Sequence, residues 1–272
     1  AIIDQTPDAT EEEKEAAKSK IDEEVIKAKH GIDQAKTNND VDQVEQNSTT
    51  MINNIQPTVV KKSEARQAID DLAKLKKATI DLTQEATEEE KEAAKSKVDQ
   101  ALTEAKTHIN EAENDDGVDN AKTKGINVIN TIQLEIIKKV EAKHEIDQSA
   151  IAKKKIIDQT PDATEEEKEV AKQKVDEEVI KAKNNIDQAT TNDGVNNAKT
   201  TGKNIIENIQ PEVVKKAEAR KAIDEAATLR KNLIDQDNST TKEEKDIAKQ
   251  KIDDEVNKAK RNVDQSINIS NV

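Results

Sequence analysis

The side chains in this sequence that are equipped for proton transfer or metal binding are three histidines and several clusters of carboxylates. His30, His108 and His144 are the imidazoles available as a general base or a zinc ligand. The sequence repeats itself every 77 residues, and none of these positions is a histidine again one or two repeats away. A site that belongs to the repeat needs its ligand in each copy. We therefore interpret the three histidines as solvated surface side chains.

One acidic segment is similar to a calcium-binding loop. Residues 114–117, Asn-Asp-Asp-Gly, are followed by Asp119. If Gly117 is placed at the sixth position of an EF-hand loop, the first and twelfth positions fall on Ala112 and Thr123, where an aspartate and a glutamate are needed. We interpret the segment as the first turn of a helix, with a weak surface site as the alternative.

Runs of three glutamates at residues 11–13 and 165–167 offer oxygen ligands for a divalent cation. Each run follows a threonine, and its third glutamate lies three residues after that threonine, which is the pattern of a capping box at a helix start. Such pairs recur at the repeat spacing: Thr10/Glu13, Thr87/Glu90, Thr164/Glu167 and Thr241/Glu244. Helix starts also favour negative charge, so capping explains the clusters without a metal.

The composition argues against catalysis. The chain of 272 residues has no Cys, Phe, Trp or Tyr, and its 44 basic and 58 acidic residues give a net charge of −14. Pockets for substrates and cofactors are usually lined by aromatic and apolar side chains. We therefore predict that the chain is not an enzyme and has no catalytic residue, no cofactor and no metal site. An acidic chain without stacking aromatics is also unsuited to nucleic acid, and no apolar run is long enough for membrane insertion.

Apolar residues recur at alternating intervals of four and three, which is the period of an amphipathic helix. One such stripe follows each capping box: Ile21/Val25/Ala28/Ile32, Val98/Leu102/Ala105/Ile109, Val175/Val179/Ala182/Ile186 and Ile252/Val256/Ala259/Val263. A shorter helix and a second long helix complete each repeat. On this second long helix the pattern predicts one apolar side made of Ala65, Ile69, Leu72, Leu75 or Lys76, and Ile80. The predicted fold class is all-α, a tandem array of three-helix bundles that forms an elongated rod, which small-angle scattering would test. The alternative is a disordered chain, because the composition borders on that class.

The pattern leaves open which three consecutive helices form one bundle. We favour the order long, long, short, which begins at the helix after Pro57. This order predicts a partial helical repeat at 1–56, three-helix repeats at 57–133 and 134–210, and a second partial repeat at 211–272.

The middle of the short helix carries a small residue in each copy, namely Ser48, Gly125 or Gly202. Glycine inside a helix costs about 1 kcal/mol relative to alanine. We therefore predict a close contact between helices at this position, with a local kink as the alternative.

Prolines mark the end of the short helix in two copies. Pro57 and Pro211 are predicted to stop it and to be the first residue of the following long helix, where the missing N–H is harmless. Leu134 takes this place in the second copy, which predicts a smoother and nearly continuous junction.

The repeat resembles a known family. The motifs Ala-Thr-Glu-Glu-Glu-Lys, Asn-Asp-Gly-Val, Gly-x-x-x-Ile and Ile-Gln-Pro are similar to those of a helical "domain of unknown function" repeat in staphylococcal cell-wall-anchored surface proteins, of the SasC and FmtB/Mrp type. Leu134 in place of proline and Asp40 in place of glycine are its local departures. The resemblance implies a secreted, wall-attached protein whose repeats project an N-terminal binding region, with roles in aggregation, adhesion, biofilm formation and virulence.

Residues and resemblance together predict a non-catalytic structural stalk. The alternative is a multivalent adhesive module that binds host matrix proteins or associates with itself between cells. The predicted partners are neighbouring repeats of the same chain, a host matrix protein, and the same protein on another cell. The resemblance predicts an extracellular, cell wall-anchored location, although the sequence shows neither a signal peptide nor a sorting motif and is expected to be a fragment.

Overall fold

A computed structural model describes residues 2–269 of the chain; Ala1 and residues 270–272, the outer ends of the two predicted partial repeats, lie outside the described residues. The described part contains no strand. It has one short 3-10 helix, Ile3–Gln5, and the helices α1 (Glu11–Gln34), α2 (Asn38–Asn54), α3 (Lys61–Asp81), α4 (Glu88–Glu111), α5 (Asp115–Thr131), α6 (Lys138–Asp158), α7 (Glu165–Gln188), α8 (Asn192–Asn208), α9 (Lys215–Gln236) and α10 (Lys242–Gln265). The predicted all-α tandem repeat is confirmed.

The chain divides into two compact units, residues 1–135 and 136–272. In the first unit α3, α4 and α5 pack against one another, and α1 packs against α2. In the second unit α6, α7 and α8 pack against one another, and α9 packs against α10. Each unit therefore has one set of three helices in the order long, long, short, and one pair of helices.

Threonines are the N-caps of α1, α4, α7 and α10, as the sequence predicts. The hydroxyl of each predicted N-cap accepts a hydrogen bond from the backbone N–H of the third helical residue, whose glutamate accepts from the threonine N–H; these boxes begin at Thr10, Thr87, Thr164 and Thr241. Thr37 and Asp40 form a further capping box at the start of α2, which the sequence analysis missed. The four predicted capping boxes are confirmed.

Aliphatic side chains alone fill the two three-helix cores. Their fully buried members are Ile69, Val98, Ile109, Val118 and Ile129 in the first and Ile146, Ile157, Val175, Ile186, Val195 and Ile206 in the second. The predicted stripes of α4 and α7 are thus confirmed. On α3 the prediction of Leu75 or Lys76 as a core position is wrong: Leu75 is exposed and Lys76 half-buried. The core position on this helix is Ala73, since it shares a helix face with Ile69 and Ile80.

The glycines of the short helices lie where two helices touch. A Cβ atom built on Gly125 would lie 2.5 Å from the Cβ of Ala105, and one built on Gly202 would lie 2.5 Å from the Cβ of Ala182. Atoms cannot approach so closely, so any larger side chain forces the helices apart. The predicted close contact is confirmed, and α5 and α8 run unbroken through their glycines.

The prolines lie between helices. Residues 55–60 and 209–214 are non-helical linkers that contain Pro57 and Pro211, both buried, and α3 and α9 begin only at Lys61 and Lys215. The prediction that proline is the first helical residue is therefore wrong: three non-helical residues separate each proline from the next helix, which begins where a carboxylate from another helix caps it.

The linker that has leucine in place of proline also differs from the prediction. Residues 132–137 form a linker of the same kind, so the predicted continuity at Leu134 is wrong. Leu134 packs against the first core, as does Ile132. The linker is thus held by burial of an apolar side chain at this position.

Candidate functional site

The repeat junction is the place where the N-terminal residues of one long helix meet the start of another long helix and the turn after a third. In the first unit it joins α1 to α3 and to the turn between α4 and α5. In the second unit it joins α7 to α9 and to the residues that follow α10. The two junctions use equivalent residues, two repeats apart.

One carboxylate at each junction caps two helices. Glu13 Oε2 accepts from the N–H of Thr10 at 3.0 Å, while Oε1 accepts from the N–H groups of Val60 at 2.7 Å and Lys61 at 3.0 Å. Val60 is the N-cap of α3 and has no side-chain cap of its own. The first amides of α3, which a helix leaves without internal partners, are thus satisfied by a residue from α1.

The second junction repeats this arrangement. Glu167 Oε2 accepts from the N–H of Thr164 at 2.9 Å, and Oε1 accepts from the N–H groups of Val214 and Lys215, each at 3.0 Å. Val214 likewise has no side-chain cap. The same contact in both units shows that it belongs to the repeat.

These hydrogen bonds change the acidity of the two glutamates. Burial by itself raises the pKa of Glu13, but the backbone N–H groups of Lys61, Val60 and Thr10 stabilise the charged form and bring the pKa below its ordinary value. For Glu167, burial again acts to raise the pKa, and the amides of Lys215, Thr164 and Val214 outweigh it. Both side chains are therefore held as carboxylates.

The other two glutamates of each run also act at the junction. The N–H of Glu11 donates to the carbonyl of Glu113 at 2.9 Å, and Glu12 Oε2 accepts from the N–H of Asp115 at 3.0 Å. In the second unit the N–H of Glu165 donates to Ile267 O at 2.8 Å, and Glu166 Oε2 accepts from Ile269 N–H at 2.9 Å. The acidic runs are thus structural contacts between helices.

Buried lysines donate hydrogen bonds to carbonyls at the C-terminal ends of α4, α7 and α10. Lys62 Nζ donates to the carbonyl of Asn110 at 2.7 Å, and in the other repeats Lys139 donates to Asp187 O at 2.8 Å and Lys216 to Asp264 O at 2.9 Å. A lysine suits this place because the carbonyls at a helix end are unpaired and carry partial negative charge.

An arginine joins each junction to the segment before it. Arg66 donates to Asn110 Oδ1 at 2.6 Å and to Asp8 Oδ2 at 3.3 Å. Arg220 donates through Nε to Asp264 Oδ1 at 2.8 Å and through Nη2 to Asp162 Oδ1 at 3.2 Å. These contacts are partly exposed. They therefore help to orient the joined segments but add little to the free energy of folding.

The segment similar to a calcium loop is a helix start. Asn114 is the N-cap of α5, and its Oδ1 accepts from the N–H of Gly117 at 2.8 Å. Asp119 pairs with Lys61 at 2.8 Å and with Lys122 at 3.2 Å. The interpretation of residues 114–117 as a first helical turn is confirmed.

The three histidines do not come together. His30, His108 and His144 are exposed on α1, α4 and α6; His30 contacts Gln34, and His108 lies 3.7 Å from Glu111. Within residues 2–269 there is no group of three or more His, Asp or Glu side chains arranged to hold a metal ion. The predicted lack of catalytic, cofactor and metal residues stays a prediction. No helix in this same range has the length and apolarity needed to cross a bilayer.

Sequence reasoning missed the junction. It assigned the glutamate runs to their own helices, whereas Glu13 contacts residues 47 and 48 positions away and Glu12 contacts one 103 positions away. A usable signal was present: the start of α3 has no Ser, Thr, Asp or Asn at Val60, and the starts of α6 and α9 have Ile137 and Val214. A long helix whose N-cap residue has an aliphatic side chain, recurring in each repeat, indicates a cap supplied from elsewhere.

Comparison with known families finds one match across the chain. A family described as Domain of Unknown Function (DUF1542) matches residues 1–60, 61–137, 138–214 and 215–272. Each match from the second onward begins at the first residue of a long helix whose N-cap residue is valine or isoleucine.

The chain is similar to curated proteins of Staphylococcus aureus. The chain is 27% identical over 264 residues to "Extracellular matrix-binding protein EbhA" of strain Newman, covering 97% of this chain and 8% of that protein. It is also 27% identical to "Extracellular matrix-binding protein ebh" of strain COL, covering 97% of this chain and 2% of that protein. The chain thus spans less than a tenth of the length of these relatives. No solved structure matches the chain.

Proposed function

This chain belongs to the family described as Domain of Unknown Function (DUF1542), and we propose that it is a non-catalytic structural stalk of a bacterial cell-wall-anchored protein. The predicted resemblance to a helical repeat of staphylococcal surface proteins and the predicted extracellular location are confirmed by its relatives. In the proposed role the repeats project a separate binding region, and through that region they support aggregation, adhesion and biofilm formation.

The observation that carries this proposal is the repeat junction. The same glutamate bridges two helix starts in both units, and its partners are backbone amides that any sequence provides. A junction of this kind fixes one repeat on the next without depending on variable side chains. Module boundaries at residues 57, 134 and 211 are part of the proposal, because each lies in a linker between helices.

The stalk proposal is tested by displaying a small epitope at the outer end of arrays with one, two or four repeats on a cell surface. Capture of these cells by antibody-coated beads should increase with repeat number. A four-repeat array in which the junction glutamates are replaced by glutamine is the matched control, because it has the same length and weaker junctions. Capture that is independent of both length and junction chemistry would contradict the proposal.

A multivalent adhesive module is the second candidate. It is favoured by the relatives, whose names describe them as extracellular matrix-binding proteins. In this role weak contacts of each repeat with host matrix, or with the same protein on another cell, add up through avidity.

The adhesive candidate is tested with purified arrays of two and four repeats at equal repeat concentration. Retention on immobilised extracellular matrix and self-association in sedimentation are measured. Avidity predicts that binding per repeat rises steeply from two to four repeats, whereas a stalk predicts no retention by either array.

A further inference from the structure

The outer face of the α6–α7 pair carries two exposed isoleucines. Ile151 on α6 is 63% exposed, and Ile180 on α7 is 61% exposed. A single exposed apolar side chain is common on a protein surface and needs no explanation. Two of them enclosed by charged groups have the arrangement of an interface, with an apolar centre and a polar rim.

Two ion pairs between α6 and α7 enclose the isoleucines. They are Asp147 with Lys183 at 2.7 Å and Lys154 with Asp176 at 2.6 Å. On each helix the isoleucine follows the aspartate by four residues and precedes the lysine by three. Because α6 and α7 run antiparallel, the two isoleucines fall at the same level, between the two ion pairs. We call these two isoleucines and four charged residues the α6–α7 patch.

The ion pairs recur in other repeats, whereas the isoleucines do not. The equivalent ion pairs are Asp70/Lys106 and Lys77/Asp99 between α3 and α4, and Asp224/Lys260 and Lys231/Asp253 between α9 and α10. The places of the isoleucines are taken by exposed polar residues, Lys74 and Thr103 in the first bundle and Thr228 and Asn257 on α9 and α10. Packing within a bundle therefore does not require isoleucine at either place.

The charges of the α6–α7 patch are complementary to those of a second copy of the patch. When a second copy is turned face to face, with its α7 over α6, every aspartate faces a lysine of the other copy. Asp147 then faces Lys183 of the other copy, and Lys154 faces Asp176. The isoleucines meet at the centre of this contact. Complementary charges across an interface favour the matching partner and fix its orientation.

We propose that the α6–α7 patch is the surface through which two copies of this chain associate. The contact is symmetric, because both copies use the same residues. Two isoleucines in each copy provide a small apolar area, so a single contact is weak. It gains strength where many copies of the chain lie side by side on two facing surfaces. This inference rests on the second candidate function, since it assigns self-association to one surface of one bundle.

The proposal is tested by sedimentation equilibrium of the whole chain at concentrations up to about 1 mM. The average mass should rise with concentration. Ile151→Lys combined with Ile180→Thr introduces the residues that the first bundle has at these places, so the variant should fold, which circular dichroism verifies. Its dimer dissociation constant should increase at least roughly tenfold. Ile205→Thr is the matched control, because it removes an exposed isoleucine of α8, and it should associate as the natural chain does.

A reversal of charge tests the orientation of the two copies. A positive variant carries Asp147→Lys and Asp176→Lys, and a negative variant carries Lys154→Glu and Lys183→Glu. In each variant alone like charges face each other, so each should stay monomeric, whereas an equal mixture should form dimers. The exposed ion pairs that these changes remove contribute little to folding, so both variants should stay helical by circular dichroism.

Three results would overturn the proposal. A natural chain that stays monomeric up to about 1 mM would also remove self-association from the second candidate function. If the isoleucine variant associates as strongly as the natural chain, self-association stands but uses another surface. If the natural chain is monomeric and is retained on extracellular matrix, and the isoleucine variant is not retained, the α6–α7 patch binds a host protein instead of a second copy.

Discussion

At the scale of single residues, the junction glutamates carry the strongest prediction. Glu13→Gln combined with Glu167→Gln removes the charge that accepts from three amides in each junction. Charge-assisted hydrogen bonds are stronger than neutral ones, so we expect a loss of about 1–2 kcal/mol per junction. Thermal unfolding followed by circular dichroism measures it. Glu23→Gln, an exposed change on α1, should leave the unfolding temperature within experimental error.

The stabilisation that Glu13 and Glu167 contribute should depend on pH. The pKa values of Glu13 and Glu167 lie below the ordinary 4.5, because backbone amides outweigh the opposing effect of burial. A carboxyl whose pKa is lower in the folded state stabilises that state above its unfolded pKa, and the contribution disappears as the pH falls through the folded pKa. The difference in unfolding free energy between the natural chain and the double variant should therefore be full at pH 7 and shrink below about pH 4.5. A difference that stays constant down to pH 3 would mean that the carboxylates do not bridge the helices.

Gly125 provides a second prediction at this scale. Gly125→Ala improves helix propensity by about 1 kcal/mol, but its Cβ would lie 2.5 Å from that of Ala105. The cost of overpacking, about 1–3 kcal/mol, should exceed the gain. Urea unfolding should show net destabilisation for Gly125→Ala and none for Thr123→Ala, an exposed substitution on the same helix.

At the scale of helices, the features that can be predicted from the sequence are those that depend on residues close together in the chain. Capping boxes and apolar stripes act within one helix, and those at Thr87 and Val98 are found as predicted. The wrong predictions concern contacts between residues that are far apart in the sequence. Pro57 suggested a helix start by its local preference, whereas α3 begins where Glu13, 47 residues away, supplies the cap. No local pattern contains that partner.

The core stripe of α4 carries the prediction for this scale. Ile109 is 0% exposed in the first core, and an aspartate there places an unpaired charge among aliphatic side chains. Burial of an unpaired charge costs several kcal/mol, so Ile109→Asp should unfold α3, α4 and α5, with loss of their helical circular dichroism. Lys106→Ala removes only a half-exposed pair with Asp70 and should cost less than about 1 kcal/mol. Equal effects from the two changes would show that Ile109 is not a core residue.

At the scale of the whole chain, the modules have small cores made only of aliphatic side chains. A fragment of residues 57–133 contains α3, α4 and α5, which pack on one another. We expect it to unfold cooperatively with a stability of roughly a few kcal/mol. A fragment of equal length, residues 87–163, contains α4, α5 and α6 and splits both bundles, so it should lack a cooperative transition in differential scanning calorimetry. If the second fragment is the more stable one, the proposed module boundaries are wrong.

The bridging glutamate also bears on how the gene for such an array can change. Every repeat has a glutamate in its capping box, at Glu13, Glu90, Glu167 or Glu244. Where this carboxylate bridges two helices, as at Glu13 and Glu167, the groups that donate to it are main-chain amides. Recombination between repeated stretches of a gene can add or remove whole units. Because donor and acceptor are inherited within each unit, a shortened or lengthened allele needs no compensating substitution at its new boundary, and the number of repeats is free to vary between strains.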